Sequence, residues 1–174
     1  MRSPPLTRRS LVAGLAATTG LAIAGCGQAR KPDSETSGSS QPNPTATGAA
    51  LPAMTVYRDP SCGCCEAWAG IAREAGYQVK VIDRPDMPAI KAQYGVPDQL
   101  LSCHTTIVNG YAVEGHVPLE DVQRLLTEKP AAIRGIAVAG MPLGSPGMEV
   151  PDGTKQPFRV MAFDKGGRTS VFRG

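Results

Sequence analysis

Three thiols lie within four residues of one another in the stretch Cys62-Gly-Cys-Cys65. The stretch follows an apolar run typical of a strand and precedes an amphipathic run typical of a helix, so it is predicted to lie at a helix start. The unpaired N–H groups and the positive dipole end of a helix favour thiolates over thiols. Because thiolates attack disulfides and bind soft metal ions, the stretch is predicted to do one of these two jobs.

The elements that must position these thiols follow from hydrophobic periodicity. Strands are predicted at 54–57, 77–82, 104–108 and 112–117, and helices between the cysteines and Gly76, at 88–94 and from Pro118. Asn109-Gly110 predicts a hairpin between the third and fourth strands. With thiols after the first strand, this order predicts an α/β fold, a thioredoxin-like three-layer sandwich. Apolar runs at 136–139, 158–163 and 170–172 predict a β-rich C-terminal extension.

A fourth thiol is expected to face the other three from a distant part of the chain. Thioredoxins place a cis-proline in the loop before the third strand, beside the thiols, and this chain has Ser102-Cys103-His104 there. Cys103 and His104 therefore offer two metal-binding groups where proline would offer none, and His104 is a candidate ligand or ligand-supporting group. His116, at the far end of the returning strand, is predicted to be a surface residue.

The residues alone leave three interpretations of the cysteines open. Cys62 and Cys65 have the C-x-x-C spacing of a redox dithiol, which would make the chain a thiol–disulfide oxidoreductase. Structural disulfides are a second interpretation, because an exported protein meets an oxidising compartment. A soft-metal site for Cu(I) or zinc is the third. A single zinc usually takes cysteines from two separated pairs, whereas crowded thiolates can each bridge two cuprous ions.

Two methionines lie on a Gly/Pro-rich loop, Gly140-Met-Pro-Leu-Gly-Ser-Pro-Gly-Met-Glu149. Filling gaps in a core is the usual role of methionine. Two thioethers on a turn-rich loop are unusual for packing, however, and thioether suits Cu(I) better than zinc. Met141 and Met148 are therefore candidate secondary ligands.

These motifs resemble those of the CopG-type periplasmic copper-binding proteins. The resemblance is carried by the segments Tyr57-Arg-Asp-Pro-Ser-Cys-Gly-Cys-Cys-Glu-Ala-Trp68, Leu101-Ser-Cys-His-Thr-Thr106, Gly115-His-Val-Pro118 and 140–149. It implies a thioredoxin-like fold, a role in copper resistance and a cuprous cluster bridged by cysteine thiolates. The implied ligands are Cys62, Cys64, Cys65 and Cys103. Zinc, which also suits thiolates, stays the alternative metal from the residues themselves. Cycling of copper between Cu(I) and Cu(II) has been proposed for the family, and other periplasmic copper-handling proteins are expected partners.

The N-terminus predicts export. Arg8-Arg9 precedes an apolar stretch too short for a comfortable bilayer span, and the segment resembles a twin-arginine signal. Ile23-Ala-Gly-Cys26 resembles a lipoprotein processing site at which Cys26 is acylated, and acyl chains would tether the chain to a membrane face. Residues 1–25 are thus predicted as a signal peptide, 26–51 as a disordered tether and 52–174 as the folded domain, anchored on the periplasmic or cell-envelope side.

The charge balance excludes one class of partner. The formal net charge of +3 comes from 18 basic and 15 acidic side chains. Arg2, Arg8 and Arg9 are the only charges in the first 25 residues, which leaves 15 basic and 15 acidic side chains in the rest. A neutral mature chain gives no electrostatic reason to bind nucleic acid.

Overall fold

The computed structural model describes residues 50–173. The predicted signal peptide, Cys26 and nearly all of the predicted tether lie outside the described residues. Within them, no helix is both long enough and apolar enough to cross a bilayer. The elements are β1 Ala53–Arg58, α1 Gly63–Glu74, β2 Gln78–Asp83, α2 Met87–Tyr94, β3 His104–Val108, β4 Tyr111–Glu114, α3 Leu119–Glu128, β5 Gly135–Ala137, β6 Val160–Phe163 and β7 Thr169–Arg173.

One sheet of seven strands runs through the described residues in the order β2-β1-β3-β4-β5-β6-β7. β1 pairs with β2 in parallel and with β3 antiparallel, and β3 pairs antiparallel with β4. β5 joins the far side of β4 in parallel, and β6 and β7 follow antiparallel, so the C-terminal strands extend the same sheet. The predicted α/β class with additional C-terminal strands is confirmed, and the thioredoxin-like assignment stays a prediction.

Helices lie on both faces of this sheet. The side chains of each strand point alternately to these two faces. The main core packs α1 and α3 against one face, with Trp68 and Val122 fully buried against Val56 and Val113. On the other face α2 packs against β3 and β4, where Lys91 contacts Thr105. Gly76 and Gly95 follow α1 and α2 with φ of +95° and +72°, left-handed values that glycine adopts without strain and that end both helices.

The returning strand of the hairpin is shorter than predicted. Asn109 and Gly110 have φ of +46° and +83° and form the predicted tight turn. β4 ends at Glu114 instead of continuing to residue 117. Gly115 has φ of +71°, and a Cβ built there would lie 2.3 Å from Ser102 Oγ and 2.7 Å from the Val138 carbonyl oxygen, so only glycine fits this turn. The turn changes the direction of the chain before His116.

Trp68 joins the core to the segment after this turn. Its Nε1–H donates to the Val117 carbonyl oxygen at 2.9 Å, and the whole side chain is buried. Trp68→Phe removes this donor and leaves the buried carbonyl unpaired, so we expect the free energy of unfolding to fall by about 2 kcal/mol. Equilibrium urea unfolding of the full chain measures the change.

The control for Trp68→Phe removes a hydrogen bond on the surface. Thr127 Oγ1 donates to the Gln123 carbonyl oxygen in an exposed turn of α3, and we expect Thr127→Val to change stability by no more than about 0.5 kcal/mol. Equal losses for the two variants would show that burial of the Trp68 bond contributes nothing.

Candidate metal centre

The first turn of α1 gathers three of the four predicted thiols. Cys62 is the residue before the helix, and its backbone is fixed by a hydrogen bond from its N–H to the Asp59 carbonyl oxygen at 3.0 Å. Its own carbonyl oxygen accepts a bond from Arg58 Nη1, also at 3.0 Å. Cys64 and Cys65 follow on the helix itself, so the helix start presents all three sulfurs at one end of β1.

The loop before β3 brings the fourth thiol to the same place. Cys103 Sγ lies 3.9 Å from Cys64 Sγ, and Cys64 Sγ lies 3.5 Å from Cys62 Sγ. The sulfurs of Cys62, Cys64, Cys65 and Cys103 all lie within 4.8 Å of one another. The structure therefore brings together the four cysteines that the sequence predicted as ligands, although Cys103 is 38 residues beyond Cys65 in the chain.

Two of these sulfurs are bonded to each other. Cys62 and Cys65 form a disulfide with their Cα atoms 5.5 Å apart, while Cys64 and Cys103 are free thiols. A disulfide sulfur carries no negative charge and is not the thiolate that binds soft metals. The structure thus has the oxidised form of the C-x-x-C pair, and all four cysteines become available as thiolates only when this disulfide is reduced.

His116 is part of the site, and the prediction that it lies on the surface was wrong. Its side chain is fully buried, and its Nε2 lies 3.0 Å from Cys103 Sγ. Its Nδ1 lies 2.8 Å from the Pro146 carbonyl oxygen, which orients the ring. The prediction failed because it continued the strand to residue 117, whereas the turn at Gly115 directs the imidazole inward.

His104 lies behind the same thiol. Its Nδ1 is 3.3 Å from Cys103 Sγ, and its ring packs 5.0 Å from the Trp68 ring and edge-on at 5.0 Å from the His116 ring. Complete burial holds the pKa of His104 well below its usual value, and the neighbouring His116 adds to this effect. Burial also lowers the pKa of His116. Both imidazoles are therefore neutral near pH 7, the form that offers a lone pair to a metal.

Cys103 connects the cysteine cluster to the histidines. Its sulfur belongs to two groups of closely spaced donor atoms, the four cysteines and the set Cys103, His104 and His116. Burial raises the pKa of the Cys103 thiol to about 12, with a further contribution from Cys64. The thiol therefore carries its proton near pH 7.

The loop at 140–149 covers this end of α1. A Cβ at Gly147 would lie 2.8 Å from the Trp68 backbone nitrogen and 3.1 Å from the Cys64 carbonyl oxygen, so the loop packs directly on the helix backbone. Ser102 Oγ donates to the Gly140 carbonyl oxygen and ties the Cys103 loop to it. The Met141 side chain is 52% exposed, and Met148 is half-buried. That either thioether binds a metal stays a prediction.

A groove of about 570 Å³ leads to the cluster from the side of α2. Cys62 and Cys103 are among the residues that line it, and Met87, Val96 and Leu101 supply apolar walls. Cys65, in contrast, is fully buried. Of the disulfide pair, Cys62 is therefore the residue that lines the groove.

Comparisons with known proteins found one family model and two solved structures that resemble this chain. Residues 100–148 match the family model described as "Protein of unknown function, DUF411". A solved structure of copper resistance protein CopG, form 2, is 40% identical, with a TM-score of 0.65, and the match covers 70% of this chain and 95% of that chain. Form 1 of that protein is 39% identical at the same TM-score of 0.65, covering 71% and 99%. No curated protein matches the chain.

Proposed function

The chain belongs to the family of copper resistance protein CopG, and on that premise we propose that it sequesters Cu(I) in a cluster of cysteine thiolates. The observation that carries the proposal is the convergence of four cysteine sulfurs within 4.8 Å of one another. Thiolates are the ligands that select soft ions such as Cu(I), whereas Mg²⁺ and Ca²⁺ prefer oxygen. The proposed ligands are Cys62, Cys64, Cys65 and Cys103, which supply soft sulfur only.

The number of donor atoms supports more than one ion. A structural zinc takes four ligands in a closed tetrahedral site. Here the two neutral imidazoles of His104 and His116 stand next to Cys103, beyond the four cysteines. Six donors exceed what a single zinc requires, so a cluster of cuprous ions that share thiolates fits the site better.

The proposed place of this function is the cell envelope. We propose that residues 1–25 direct export and that acylated Cys26 tethers the domain to a membrane face, where the protein holds Cu(I) in copper resistance. A chain that binds copper in exchange with other periplasmic copper-handling proteins needs its ligands near solvent, and Cys62 and Cys103 line the groove. Interconversion of Cu(I) and Cu(II) at the cluster, with one electron per ion passed to or taken from an external redox partner, is a further part of the proposal.

An anaerobic Cu(I) titration tests the binding proposal. The full chain is reduced, freed of reductant and titrated against a chromophoric Cu(I) chelator, and the bound metal is counted by mass spectrometry. We expect more than one Cu(I) per chain, and weaker binding of Zn²⁺ under the same conditions. Binding of a single ion, with zinc preferred, would replace the copper cluster by a zinc site.

The disulfide favours a second candidate function, thiol–disulfide exchange. Cys62 and Cys65 are bonded to each other, and Cys62 lines a groove large enough for a small ligand. An oxidoreductase that uses this pair would not need Cys64. Insulin reduction by the wild-type chain and by Cys64→Ser distinguishes the two functions: full activity in both supports the enzyme, and loss of Cu(I) binding in Cys64→Ser without any reductase activity supports the copper cluster.

Copper binding is expected to strengthen as the pH rises. The Cys103 thiol has a pKa of about 12, so near pH 7 a cation must displace its proton, and a lower pH opposes binding. Release of this one proton contributes a rise in conditional affinity of about tenfold per pH unit. Competition titrations between pH 6 and 8 measure the slope of log affinity against pH.

The control for this pH dependence is Cys103→Ser. Its slope should be shallower by about one, because serine has no proton to release in this range. Equal slopes for the two proteins would mean that Cys103 does not lose its proton on binding copper.

A further inference from the structure

A buried ion pair lies next to the loop that carries Cys103. Lys91 Nζ of α2 and Glu114 Oε1 of β4 are 2.6 Å apart, with side chains 9% and 0% exposed. Thr105 Oγ1, directly across the hairpin from Glu114, donates to Oε2 at 2.6 Å. The Ser102 backbone N–H donates to Oε1 at 2.7 Å. Three donors therefore converge on one carboxylate, and one of them belongs to the residue before Cys103.

Stability alone gives little reason for this arrangement. Moving two charges out of water is costly, and replacing a buried ion pair by apolar residues of similar volume is often neutral or stabilising. What an apolar side chain could not do is accept the hydrogen bond of the Ser102 N–H. The carboxylate thus fixes the backbone of Ser102. Strand pairing does not fix this residue, because β3 begins only at His104.

The position of that backbone matters for the metal site. Cys103 Sγ lies 3.9 Å from Cys64 Sγ and 3.0 Å from His116 Nε2, so it faces the cysteine cluster and the histidine at the same time. A displacement of the Ser102 peptide would move this sulfur relative to both. Ser102 is held on its other side by the bond from its Oγ to the Gly140 carbonyl oxygen.

We propose that Glu114, held by Lys91, is a positioning residue for copper binding, because its carboxylate fixes the Ser102–Cys103 backbone and thereby the place of the Cys103 sulfur. Its consequence for copper rests on the proposed function. Both carboxylate oxygens already bond Lys91, Thr105 and the Ser102 N–H. Glu114 therefore acts through the backbone and is not itself a ligand.

Two double variants separate the effect of the hydrogen-bond acceptor at position 114 from the effect of the buried ion pair. K91M/E114Q and K91M/E114M both remove the ion pair and keep the volume, but only glutamine keeps an oxygen for the Ser102 N–H, and its amide N–H₂ can donate to Thr105 Oγ1. We expect K91M/E114Q to bind Cu(I) like the wild type. We expect K91M/E114M to lose roughly 10–100-fold in affinity, the usual effect of removing a group that orients a ligand. Equal affinities of the two variants would overturn the proposal.

A matched control and a copper-free readout complete the experiment. E128Q breaks the exposed Arg124–Glu128 pair and should leave copper binding unchanged. In a Cys26→Ser background, mild oxidation by diamide should cross-link Cys64 to Cys103 in the wild type and in K91M/E114Q, and several-fold more slowly in K91M/E114M, as measured by peptide mapping. Equal cross-linking rates in all three proteins would overturn the positioning role.

The two readouts distinguish the failure of each proposal. If the wild type binds no Cu(I) but the cross-linking rates follow the expected order, the proposed function fails and the positioning role stands.

If circular dichroism shows that K91M/E114M does not fold, E114D replaces it, because aspartate keeps the charge for Lys91 but withdraws the acceptor from the Ser102 N–H. E114D should then lose cross-linking and copper affinity, and wild-type behaviour of E114D would overturn the proposal.

Discussion

Cys103→Ser is expected to lower the affinity for Cu(I) by about a hundredfold or more, beyond the upper end of what loss of a supporting group costs. Cys103 belongs to both groups of closely spaced donors in the described residues. One group is the four cysteines, and the other is Cys103 with His104 and His116. A serine hydroxyl is a neutral, hard oxygen ligand near pH 7 and does not replace a bridging thiolate. The substitution therefore separates His104 and His116 from the cluster as well as removing one sulfur.

The same titration that counts Cu(I) in the reduced wild-type chain measures this loss. The matched control is Cys26→Ser, an identical chemical change outside the predicted cluster, which should leave both the number of ions and the affinity unchanged. A Cys103→Ser chain that binds the wild-type number of ions at the wild-type affinity would remove Cys103 from the ligand set and leave Cys62, Cys64 and Cys65 as the proposed thiolate ligands.

Most of the fold was accessible from the sequence because its signals are local. The Asn109-Gly110 turn, the glycines after α1 and α2 and the β-branched run at 104–108 each favour a conformation without help from distant residues. The pairing of β5 with β4 was not accessible, because a parallel pair joins segments that no turn connects. The predicted strand 158–163 is likewise longer than β6, which begins at Val160.

Residues of the site were predictable where their positions follow from the order of strands and helices. They were missed where a single backbone angle determines the direction of the chain. Cys103 was placed beside the other thiols because the loop before the third strand was expected to pass the start of the first helix. The surface position predicted for His116 is wrong because the predicted strand continues through Gly115, which has φ of +71° and turns the chain. The signal that could have found it is the glycine itself, since glycine within a strand pattern often marks a bend.

Glu114 and Lys91 were missed for a different reason. A charged residue in an alternating run is ordinarily read as solvent-facing, and this interpretation holds only for sheets with one exposed face. Here α2 covers the second face, so Glu114 points into a buried layer and meets Lys91 from that helix. Only the tertiary arrangement of α2 on the hairpin reveals the pair, since the two residues are 23 positions apart in the chain.

Oxidation of Cys62 and Cys65 is expected to reduce copper binding to about one ion per chain, because the disulfide removes two thiolates and leaves Cys64, Cys103 and the histidines, a set that suits a single ion. Parallel titrations of the oxidised chain and of the reduced chain measure the difference. Cys62→Ser/Cys65→Ser, which lacks both thiolates and cannot form the disulfide, should bind the same number of ions as the oxidised chain under either condition.

If the oxidised and reduced chains bind equal numbers of ions, Cys62 and Cys65 are not ligands, and their disulfide serves either thiol exchange or the stability of the fold. If reduction alone restores the full number, one chemical step, the transfer of two electrons to this pair, decides whether the protein can hold its copper.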